Sequence, residues 1–181
     1  MIPLVTLWLP ILLSTVAILI ASNILWMALP FWHRADYDRL ENEKVLLDAI
    51  SSAKSGQYLA PYVNWSKLPP EEREAMMKRP MALTLVRNPA KFNFPGALIS
   101  WFVYLLVISI FIGYVAAVTL PHASHNVFRV VTTLSILAFA FASVSDSIWY
   151  GKPWSVTAKV IVDGIIYGFI AGGIFCWLWP H

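Results

Sequence analysis

Charge is scarce in this chain, and cysteine is nearly absent. Asp, Glu, Lys and Arg make up only 13% of its 181 residues, against ~25% in a typical soluble domain. Of the 13 Lys and Arg and 10 Asp and Glu, just five lie outside residues 30–95: Arg129, Asp146, Lys152, Lys159 and Asp163. The single cysteine, Cys176, excludes an intramolecular disulfide and any multi-cysteine metal or haem motif. Alone in an apolar run, it reads as a small packing residue. The net charge is only +3, with no basic stripe, which excludes a nucleic-acid partner. There is no internal repeat, no nucleotide-binding glycine motif, no Gly-x-Ser-x-Gly and no His-Glu-x-x-His. The expectation is therefore no catalytic constellation, no cofactor and no metal.

What the chain does have is apolar surface. Its 59% of apolar residues exceeds the ~45–50% of soluble domains. That excess is concentrated in four runs, at 4–29, 97–120, 127–144 and 156–179. A helix needs ~20 apolar residues to cross a bilayer core of ~30 Å. The composition thus predicts an all-α, polytopic membrane protein of four transmembrane helices. Nine tryptophans, several at the ends of these runs, suit the aromatic belts at membrane–water interfaces. The first run has no Lys or Arg ahead of it and exceeds the 7–15 residues of a signal h-region, so it reads as a retained span. Pro10 either kinks that helix or marks its start.

Residues 30–95 form the one long polar segment. A helix is expected over 36–53, with Leu40, Leu47 and Ile50 on one face and Asp36 as its N-cap. Gly56 is the expected stop. Pro69 and Pro70, followed by Glu71, Glu72 and Glu74, carry the signature of a helix start. The β-favouring stretches 57–63 and 81–86 pair as a hairpin on this reading. Too broken for a large core, the segment is expected to lie against the membrane or cap the bundle.

The basic residues set an orientation. Arg34, Arg39, Lys44, Lys78, Arg79, Arg87 and Lys91 lie near the membrane edges of the polar segment, while Lys152 and Lys159 flank the fourth span. The opposite side has only Arg129. The positive-inside bias then places 30–95 and the connector 148–155 in the cytoplasm and both termini outside.

The fourth run carries the densest signals. Gly164, Gly168 and Gly172 recur every fourth residue, so they share one helical face, through which spans three and four are expected to pack closely. Asp163 stands beside that ladder, ~9 Å into the apolar run. A carboxylate near a span's centre costs ~2.5–3.5 kcal/mol on insertion scales, so this face is expected against protein. Asp163 either accepts hydrogen bonds from Tyr, Trp or Ser of a neighbouring helix, or pairs with Lys159 one turn earlier. On another reading it shares a proton with Asp146, at the end of the third span. Tyr167 is the remaining polar group of that helix. In the connector, Trp149, Tyr150, Lys152 and Trp154 suit an interfacial anchor, Gly151 permits a sharp turn, and Ser155 serves as the last helix's cap. His122, His125 and His181 share one side, but no acid or cysteine neighbours them to complete a metal site. His33 sits at the inner interface, without a second histidine at membrane depth to hold a haem.

The stretches Ser147-Ile-Trp-Tyr-Gly-Lys-Pro-Trp-Ser155, Val162-Asp163-Gly-Ile-Ile-Tyr-Gly168 and Trp177-Leu-Trp-Pro180, with Ala28-Leu-Pro-Phe-Trp-His33, resemble a group of uncharacterised bacterial four-span membrane proteins. That resemblance implies a bacterial inner membrane and four spans; it implies no activity. The function expected from the residues is non-enzymatic: an accessory protein associating through its glycine face with a second copy or a larger complex, the bilayer being its other partner. A second reading is an oligomeric proton- or cation-coupled transporter or channel using Asp163. A third is a lipid-modifying enzyme.

Overall fold

The computed structural model describes residues 2–64, 66–87 and 93–180. Lys91 and His181, which entered the charge pattern and the histidine set, lie outside these residues. The fold is mostly helical, with one two-stranded sheet. Four helical segments are long and apolar enough to cross a membrane: Leu4–Ala28, Phe94–Thr119, Val127–Tyr150 and Trp154–Trp177. The chain is a multi-pass membrane protein on this evidence.

Two compact units are present, Met1–Asp38 with Pro95–His181, and Arg39–Phe94. In the first, span one opens with a 3-10 turn (Leu4–Leu7), continues as α1 (Trp8–Asn23) and closes with a π-turn (Ile24–Ala28). Pro10 sits in the first turn of α1, where a missing N–H leaves no bond broken. Another short 3-10 turn, Arg34–Asp36, follows the exit of this span.

The second unit holds α2 (Glu43–Ile50), β1 (Gly56–Ala60), α3 (Pro70–Met77) and β2 (Ala82–Val86). Asp36 caps nothing: α2 begins only at Glu43, with Asn42 before it. Gly56 ends no helix, since α2 stops at Ile50; it opens β1 instead. The hairpin forms as expected, β1 antiparallel to β2 from Gly56 opposite Val86 to Ala60 opposite Ala82. α3 starts where the paired prolines and acids indicated.

The remaining spans are α4 (Phe94–Thr119), α5 (Val127–Ala140) continued through a 3-10 turn into α6 (Val144–Tyr150), and α7 (Trp154–Trp177). Span three is thus longer than its apolar run, because Ser143 to Tyr150 stay helical despite their polarity. The connector shrinks to Gly151–Pro153. Gly151 adopts a left-handed backbone, φ 71°, that closes α6. α7 begins at Trp154 behind Pro153, so Ser155 lies inside the helix and does not cap it. Across this turn the Ser147 and Thr157 hydroxyls bond at 2.6 Å, buried.

The core of the first unit is shared by all four spans, with Leu7, Ile11 and Ile18, Leu105 and Ile112, Val127 and Val131, and Ala171 and Phe175 buried together. α7 packs closest along α5. A Cβ on Gly164 would stand 2.7 Å from that of Ala140, and one on Gly168 would stand 2.7 Å from the Ile136 side chain and 3.1 Å from the Thr132 carbonyl. Gly172 faces Phe128 and Thr132 in the same way. Without a hydrophobic force between helices in lipid, this close approach is what holds the pair.

Candidate functional site

Two short polar spacings create the site. His33 and Asp36 are three apart in a 3-10 turn, where such residues eclipse and point the same way. Lys159 and Asp163 are four apart on α7 and share a face. The turn and the helix face each other, and their side chains cross-pair. His33 Nε2 lies 2.7 Å from Asp163 Oδ2, and Lys159 Nζ bonds Asp36 Oδ1. His33 Nδ1 is 3.0 Å from Asp36 Oδ2, so one imidazole bridges both carboxylates. Trp32 completes the frame: its Nε1 donates to Asp163 Oδ1 at 2.8 Å, and its carbonyl accepts from Lys159 Nζ at 2.6 Å. Trp26 stacks on the His33 ring with centroids 3.8 Å apart.

The group is withdrawn from solvent at its inner end. Asp163 and His33 are each 2% exposed, whereas the Lys159 side chain keeps 23% of its surface. Burial pushes the Asp36 carboxyl up, but hydrogen bonds from Lys159 and His33, with their charges, outweigh it and hold the group below its ordinary 3.8. Proton bookkeeping is decisive here. An ionised carboxylate only accepts, and a neutral imidazole has one N–H. Two nitrogen-to-carboxylate contacts on one ring therefore need two protons. With that second proton, Asp36, His33, Asp163 and Lys159 sum to zero charge; without it they carry one negative charge.

No family model matches this chain, and neither does any curated protein or solved structure. The site has to be read from its own chemistry.

Beside Asp163 lies a cavity of about 340 Å³, lined by every span. Span one contributes Ser22, Asn23, Trp26 and Met27; α4 contributes Trp101 and Tyr104; α5 contributes Phe139; α7 contributes Val160, Asp163 and Tyr167. Trp101 and Tyr104 stack at 5.1 Å, and Phe139 meets Tyr167 edge-on at 5.7 Å. The Trp101 indole is pinned by Ser22 at 3.0 Å. Tyr167 is 5% exposed, and among the described residues the Trp26 indole is the one polar group beside its hydroxyl, which makes no close hydrogen bond.

The sequence candidates fall in different places. Asp163 takes its hydrogen bonds from a Trp, as one expectation had it, and from a histidine that expectation did not name. Lys159 does not pair with Asp163; it goes to Asp36. Asp146 does not share Asp163's site either: its ionic partner is Lys152, at 4.0 Å, and its side chain is half exposed. Trp149, Tyr150 and Trp154 are exposed, as lipid or headgroup contacts would be. Among the described residues no cluster of three His, Cys, Asp or Glu is arranged to hold a metal ion. His33 and Asp36 are the functional candidates that sequence reasoning passed over. Their signal was a His-x-x-Asp spacing just past an apolar run, matching Lys-x-x-x-Asp at the start of another.

Proposed function

We propose that this chain is a proton-coupled membrane transporter in which Asp163, His33 and Asp36 hold and pass a proton between the interface and the cavity. The observation that carries this reading is His33 bridging two carboxylates of different segments through both ring nitrogens. Such a bridge stores a proton that can leave by either end, and imidazole is the side chain suited to that exchange near neutral pH. Ionisable groups at membrane depth are costly and typically mark proton or ion routes. The accessory-protein reading rested on the glycine face, and α5 covers that face within the chain.

The charge distribution supports a bacterial inner membrane location, with residues 30–95 and 148–155 cytoplasmic and both termini outside. The proton site then lies on the cytoplasmic half. The likeness to four-span bacterial membrane proteins is in keeping with this placement.

Reconstitution tests the reading. In liposomes with an acidic lumen and a pH dye, K+, Na+ or an organic cation added outside in turn should, for one of them, alkalinise the lumen faster than in empty liposomes given the same cation. Asp163→Asn and His33→Gln should return the rate to the empty value, while Asp146→Asn should not. Wild-type protein no faster than empty liposomes overturns it.

A further inference from the structure

The cavity beside Asp163 has three properties that together define a ligand. Its walls are aromatic, from Trp26, Trp101, Tyr104 and Phe139, and aromatic faces attract cations. Among the described residues its one carboxylate is Asp163, and no cationic side chain lines it. Its buried Tyr167 oxygen has only the Trp26 indole beside it among the described residues and keeps a lone pair to accept an N–H. An anion would meet the Asp163 carboxylate in a low dielectric and be repelled. A hydrocarbon would fill the space and leave Tyr167 unsatisfied.

We infer that the cavity binds a lipophilic amine in its ammonium form, one cation exchanging for the one proton of the Asp163–His33–Asp36 chain. This deepens the proton-coupled reading and rests on it. The charge count fixes the stoichiometry: the four ionised groups carry one negative charge once the extra proton has gone, and a single ammonium restores neutrality. The groups facing that exchange are Asp163 and Lys159 on α7, His33 and Asp36 on the turn after span one, and the Tyr167 and Tyr104 hydroxyls on α7 and α4. The α5 wall presents only Phe139. The exchange is balanced, one R–NH3+ in for one H+ out. Tyr167 sets a further preference, because a primary ammonium donates to its oxygen and a quaternary one cannot.

Binding to the full chain in lipid nanodiscs tests this, with radiolabelled 4-phenylbutylamine as probe. Saturable binding is expected at alkaline pH, weakening by up to tenfold per pH unit as the proton competes on acidification. Unlabelled 4-phenylbutylamine should displace it, 4-phenylbutanol and 4-phenylbutyrate should not, and the trimethylammonium analogue should displace it less well. Tyr167→Phe should erase the difference between the primary and quaternary cations, and Asp163→Asn should leave only bilayer partitioning. Displacement by the alcohol as good as by the amine, or binding indifferent to pH, overturns the inference. Those two arms use the wild-type chain, so an Asp163→Asn protein that does not accumulate leaves the test standing. Proton flux without amine binding refutes the ligand class alone; amine binding without flux refutes the transport reading.

Discussion

His33 Nε2 and Asp163 Oδ2 stand 2.7 Å apart although 130 positions separate them in sequence, and each is almost wholly buried. That contact ties the exit of span one to the first half of span four. It makes the acid of α7 a structural pin and, in the function proposed above, the inner terminus of the proton chain.

Replacing Asp163 should separate these two roles. Asp163→Leu strips acceptors from both Trp32 and His33, and losing one partner of a buried pair costs ~3–5 kcal/mol. Asp163→Asn keeps the size and a carbonyl oxygen for the Trp32 indole. Membrane accumulation should fall sharply for Leu and only slightly for Asn. Equal accumulation of both with wild type would show that the fold does not need this pin.

The glycine face gives a paired test on one helix. Gly164→Ala puts a Cβ within 2.9 Å of the Ala140 backbone, which cannot move aside as a side chain would. Such overpacking costs ~1–3 kcal/mol. Gly173 has nothing within 4 Å of the same position. Gly173→Ala should be neutral or mildly stabilising through helix propensity, by up to ~1 kcal/mol. Thermal melting in detergent that ranks the two the other way would contradict the α5–α7 packing.

Acidification should reach the site through Asp36. Its carboxyl is held below the ordinary value, so its contribution to stability is present above 3.8 and is lost as pH falls through the lower, folded value. Asp36→Asn should therefore melt lower than wild type near neutral pH, and the gap should narrow as pH falls below 3.8. A gap that stays constant across this range would mean that the Lys159 and His33 contacts do not stabilise the charged form.

Orientation is open to direct measurement. A reporter fused after Pro180 should behave as periplasmic, and one inserted at Ser55 as cytoplasmic. The opposite pattern would turn the proton site to the outer half of the membrane and reverse the direction of exchange.

Much of the architecture was legible along the chain. A run of some twenty apolar residues has few folded options in a bilayer, since every backbone polar group must bond within its own helix. The hairpin and α3 were readable for a similar local reason: prolines, acids and β-branched residues constrain the backbone within a few positions. Errors came where the nearest environment was ambiguous. Ser143 to Tyr150 looked like a connector by polarity, but Ser147 found Thr157 across the turn and the helix ran on. Asp36 looked like a cap because an acid before an amphipathic stretch commonly is one; here Lys159 and His33 claim it.

By itself, then, the amino-acid order determined four spans, the close-packing glycine face of the last, and an acid that had to be buried against protein. Hydropathy and helical period act over one element, and they suffice for those conclusions. Which groups meet Asp163 was settled only in three dimensions. Trp32 and His33 are more than a hundred residues away, and no local spacing says which of four helices the exit of span one will lie against. The tertiary structure also decided that the buried Tyr167 hydroxyl faces a cavity walled by all four spans.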